Sequence, residues 1–75
     1  MKTVTAKTSG PAPGFTCEAG REDMLYLMRG ARYELLGLDV CLCGNARAHE
    51  AACIVHHGRE YWVCGQAFIG FNYGE

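Results

Sequence analysis

The feature that most constrains this chain is the stretch "AACIVHHGREYWVCG", residues 51–65. Two runs of strand-favouring residues flank a short polar segment centred on His57 and Gly58. That spacing specifies a β-hairpin closed by a two-residue turn, with both central residues at positive φ. His stands where Asn or Asp is commoner, and it tolerates positive φ better than most residues other than glycine. The turn fixes a register in which Val55 faces Glu60, Cys53 faces Trp62 and Ala51 faces Cys64.

Upstream, "LLGLDVCLC" alternates with the period of a strand. Leu36, Leu38, Val40 and Leu42 take one face, and Leu35, Gly37, Asp39, Cys41 and Cys43 the other. The loop "GNARA" closes a second hairpin, which sets Cys43 opposite His49 and Cys41 opposite Ala51. The final "QAFIGFNYG" supplies one more strand. The segment "REDMLYLMRGARYELLG" has two readings. As a hairpin, "MLYLM" pairs with "ARYELL" around Arg29 and Gly30. As a helix, Met24, Leu25, Leu27 and Met28 share a face, and Glu22 and Asp23 suit the first turn. Helix formers dominate residues 22–28, so a short helix is the expectation.

Residues 1–16 read as a flexible N-terminal segment, because "TSGPAPG" holds both prolines of the chain. The alternating "KTVTAKT" ahead of it offers an edge strand. Residues 17–75 then form a single small globular domain. The fold class expected is α+β: a small antiparallel sheet of three to five strands with one short helix packed on it. An all-β small barrel is the alternative.

A chain of 75 residues buries only about 60–65% of the surface its unfolded form exposes. Domains this small often add a staple, and five cysteines make metal the first one to weigh. Cys41, Cys43, Cys53, Cys64 and His49 share one sheet face in the expected register, as a zinc site requires. The spacing argues the other way. Zinc knuckles use Cys-x-x-Cys, whereas Cys-x-Cys on a regular strand holds its sulfurs roughly 6–7 Å apart. The preferred reading is therefore buried thiols on an apolar face, with no metal, no cofactor and no intrachain disulfide. Cys17, just ahead of the expected helix, reads as an inert surface thiol.

The acidic residues show no acid–base pairing and the glycines form no phosphate-cradling loop, so the chain reads as non-enzymatic. A formal net charge of −1 with scattered basic residues disfavours nucleic acid as a partner. No apolar run is long enough to span a membrane, and no apolar stretch follows Lys2 as in a secretory leader. The expected compartment is the cytoplasm. A sheet that is apolar on both faces needs covering on both. The expectation is thus a protein-binding module of inhibitor or adaptor type, self-associating or docking on a larger protein. Phe68, Phe71 and Tyr73 are its candidate contact residues. Small chains of this size and class include phage-encoded antagonists of host defence such as anti-CRISPR proteins, a likeness of size and class alone. The alternatives are a zinc-stabilised module, nucleic-acid-associated or not, and a thiol-dependent redox protein.

Overall fold

The computed structural model describes residues 1–17, 20–40 and 50–73. These form seven strands: β1 (Lys2–Ala6), β2 (Gly10–Thr16), β3 (Glu22–Leu27), β4 (Arg32–Val40), β5 (Glu50–His56), β6 (Arg59–Cys64) and β7 (Phe68–Tyr73). A single 3-10 turn, Gly65–Ala67, joins β6 to β7. The strands make one antiparallel sheet in the order β3-β2-β6-β5-β4-β1-β7. Among the described residues no helix packs on the sheet and the sheet does not close, so the fold is neither the expected α+β sheet of three to five strands with one helix nor the alternative small barrel.

The β5–β6 hairpin follows its local signal. His57 and Gly58 take φ of 50° and 78°, and Val55↔Glu60, Cys53↔Trp62 and Ala51↔Cys64 are all paired. The segment expected to be a helix is β3 instead. Its burial alternates, with Leu25 and Leu27 turned into the core and Met24 and Tyr26 turned out. β3 pairs with β2 and not with β4, so the alternative hairpin around Gly30 does not form either. Pairing along a partner strand here outweighs helix propensity, which is a weak prior.

The proline-bearing lead segment is also strand. Val4 and Ala6 of β1 are buried, and β1 lies between β4 and β7 rather than at an edge. Pro11 and Pro13 sit in β2, yet the β2–β6 ladder covers only Gly14, Phe15 and Thr16. The prolines fall past its end, where β2 has β3 on one side and no described ladder on the other. An absent N–H costs nothing on that side. In β4 a bulge at Leu36 resets the alternation, so Leu35 and Leu38 both face inward, paired with Ile54 and Ala52. Asp39, rather than Cys41, is the partner of Ala51.

Three connections decide the shape. Residues 7–9 join β1 to β2, residues 28–31 join β3 to β4, and Gly65–Ala67 joins β6 to β7. Each links strands four places apart in the sheet order. Four places in a flat sheet cover about 19 Å, whereas four or five Cα steps reach at most about 14 to 18 Å. The sheet must therefore curl, setting β3, β2 and β6 opposite β4, β1 and β7 with β5 at the bend. The core confirms it: Leu25, Leu27, Tyr61 and Val63 from one side meet Val4, Ala6, Leu35 and Phe68 from the other, around Ala52 and Ile54. The connections are laced together where they cross. Ala6 N–H donates to Ala31 O, Gly30 N–H to Ala6 O, Lys7 N–H to Ala67 O and Arg29 N–H to Ser9 Oγ.

Two glycines test this description in different ways. Gly58→Val should destabilise by about 1–3 kcal/mol through its positive φ alone, since a side chain there meets nothing. Gly65→Ala should destabilise because its Cβ would overlap the Glu50 carbonyl at the sheet end. Gly37→Ala, in open space on β4, is the control and should leave the denaturation midpoint nearly unchanged.

Candidate thiol and carboxylate site

The outer face of the β2-β6-β5 ladder collects the chemistry. Outward residues on β6 are Glu60, Trp62 and Cys64, and Cys53 on β5 pairs with Trp62. Phe15 on β2 pairs with Trp62 from the other side. One residue past β2, Cys17 N–H donates to Glu60 O at 3.2 Å, which continues the ladder and places Cys17 beside Glu60. The two thiols lean over β6 until Cys17 Sγ and Cys53 Sγ stand 3.2 Å apart. The Glu60 carboxylate joins them, and all three donor atoms lie within 4.8 Å of one another.

The three side chains differ in exposure. Cys53 is buried, Cys17 is half-buried and Glu60 is exposed. Burial pushes the Cys53 thiol up from 9.0 to about 12, and the Cys17 hydrogen bond and nearby Glu60 push the same way. Cys53 thus holds its proton at neutral pH and is a poor nucleophile. Two sulfurs and a carboxylate are suited to a thiophilic metal ion, and the cluster faces outward rather than into a substrate cleft.

A shallow cleft of about 370 Å³ lies on the other side of the hairpin, lined by Asp23, Met24, His56, His57, Arg59 and Tyr61 among others. Its polar groups hold β3 in place. Tyr61 O–H donates to Asp23 Oδ2 at 3.3 Å, and His56 Nε2 lies 3.4 Å from Tyr26 O. Tyr33 extends the contact inward, 5.8 Å from the His56 ring and 6.5 Å from Phe68.

Of the contact residues expected from the sequence, Phe68 is 4% exposed and belongs to the core. Phe71 is at the surface of β7, and Tyr73 ends β7 opposite Lys2. Of the residues expected to share a face, Cys53 and Cys64 are described and stand diagonal to each other across the β5–β6 ladder, where Cys64 pairs with Ala51, while Cys41, Cys43 and His49 lie outside the described residues. Sequence spacing alone does not join Cys17 and Glu60 to Cys53. Their meeting depends on β2 pairing with β6, and the prolines hid β2. The signal present in the sequence was the hairpin register, which already put Glu60 diagonal to Cys53.

No family model matches the chain, and no curated protein or solved structure matches it either. Among the described residues no helix is long and apolar enough to cross a membrane.

The raised Cys53 thiol gives stability a defined alkaline dependence. The unfolded thiol ionises near 9.0 and the folded one near 12. Between those values the unfolded state has lost the proton that the folded state keeps, so ionisation favours unfolding. Stability should fall as pH rises from about 9 to about 12, with no contribution from this group below that window. Denaturant melts across that range, in buffer containing a chelator, check it. Cys53→Ala should flatten the slope, and an unaltered slope would assign it to other groups.

Proposed function

We propose that this chain is a small non-catalytic protein-binding module whose contact surface is the outer face of β2 and β3. The observation that carries the reading is an apolar strip set by the register. Pro11 lies beside Tyr26, Pro13 beside Met24, and Phe15 beside Trp62. Met24 is 66% exposed, Tyr26 60% and Phe15 45%. Contiguous outward apolar side chains on a short chain mark a contact surface. Among the described residues β3 is also a sheet edge, so an extended segment of a partner has backbone groups to pair with beside that strip.

The composition of the strip favours a protein partner. Glu22 faces Phe15 at one end of it, and its charge repels phosphate, which weighs against nucleic acid. Prolines and aromatic rings lose little rotamer freedom on binding, so the strip is preorganised for contact. The inhibitor or adaptor role rests on the same surface. The C-terminal strand is the weaker candidate because Phe68 is committed to the core.

The test compares two double variants against the wild-type chain. Met24→Ser with Tyr26→Ser should leave the melting temperature close to wild type, since both side chains are exposed. It should weaken binding to a partner, or self-association measured by sedimentation, by about tenfold or more. Phe71→Ala with Tyr73→Ala should leave that binding in place. The reverse pattern would move the contact surface to β7, and full binding by both variants would sink the reading.

A further inference from the structure

We propose that Cys17, Cys53 and Glu60 form a binding site for a thiophilic divalent cation of the zinc class. The argument rests on the outer-face cluster alone and is independent of the β2–β3 contact surface. The donor set is two sulfurs and one carboxylate oxygen from three separate chain segments, all within 4.8 Å of one another. Zinc takes sulfur at about 2.3 Å and carboxylate oxygen at about 2.0–2.2 Å. Tetrahedral coordination therefore needs the sulfurs about 3.8 Å apart. From 3.2 Å they need to open only slightly, and the exposed Glu60 side chain has the freedom to close on the ion. Three protein donors leave a fourth position for water or an added ligand.

The alternative use of two close thiols is a disulfide, which would consume the same two sulfurs and exclude the ion. Cys17 and Cys53 stand on opposite sides of β6 and reach over it to each other, their sulfurs 3.2 Å apart as free thiols. A disulfide would bring the sulfurs to about 2.05 Å and needs an oxidant, whereas an ion needs neither. Binding forms two metal–sulfur bonds and one metal–oxygen bond, and the two thiol protons pass to solvent. The ion would tie the end of β2 to β5 across β6, cross-linking strands that the backbone ladder connects only through that third strand.

The site lies beside Trp62, the one tryptophan of the chain, which provides a local readout. The full reduced chain is titrated with Co²⁺, following sulfur-to-cobalt charge-transfer absorption and Trp62 fluorescence, then with Zn²⁺ in competition. One equivalent of Co²⁺ should bind with charge-transfer absorption, quench Trp62 and be displaced by Zn²⁺. Cys17→Ser should lower affinity about 100-fold and Glu60→Gln about tenfold, both with native circular dichroism. These two variants carry the test because neither residue is fully buried. Cys41→Ser with Cys43→Ser should retain the signal. The proposal is overturned by absence of stoichiometric binding, by binding that survives Cys17→Ser, or by loss of binding in the Cys41 and Cys43 double variant. A Cys17–Cys53 disulfide found by peptide mapping of protein handled without oxidant would overturn it too.

Discussion

Curling of the sheet is the constraint on which everything else in this molecule depends. Three links of three or four residues each cross four strand positions, and no flat sheet lets them reach. One consequence is that a chain too small for two separate sheets encloses its core with one. Ile54, Val4 and Val63 come from three different strands and are each buried almost completely. Burial of a side chain of this kind contributes about 1.5–3 kcal/mol relative to exposure. The links hold one another through backbone hydrogen bonds at Ala6, Lys7 and Gly30, so the curl is specified at the crossing and not by the core alone.

The parts of the fold legible in the sequence are those that local geometry dictates. His57 and Gly58 require positive φ, and the hairpin around them needs no information from elsewhere in the chain. β3 was illegible because its residues are good helix formers and its pairing partner, β2, was itself disguised. Pro11 and Pro13 argue against a strand only where both sides of that strand must donate, and β2 needs one side there. The phase of β4 was illegible for a different reason. A bulge at Leu36 puts Leu35 and Leu38 on one face, and no residue pattern announces where an extra residue will be accommodated.

The candidate site shows the same division. Half of it, Cys53 with Glu60, follows from the hairpin register and is readable from fifteen residues of sequence. The other half, Cys17, arrives through a strand pairing between segments far apart in the chain. Cysteine spacing is informative when ligands sit on one tight turn. It is silent when a sheet brings three segments together, and this sheet does so by laying β2 and β5 on the two sides of β6.

The two prolines of β2 have an effect beyond their tolerance in a strand. A half-paired strand inside a curled sheet is an invitation to a foreign strand, because its unused N–H and C=O groups form a ready template. At Pro11 and Pro13 the template lacks its donors, and an incoming segment would find acceptors without the alternating partners a ladder needs. Among the described residues the chain thereby leaves open the edge at β3 while disabling the gap beside β2. Strand pairing from outside is steered to one rim of the sheet, and the residues that make the segment look unstructured in one dimension keep it from mispairing in three.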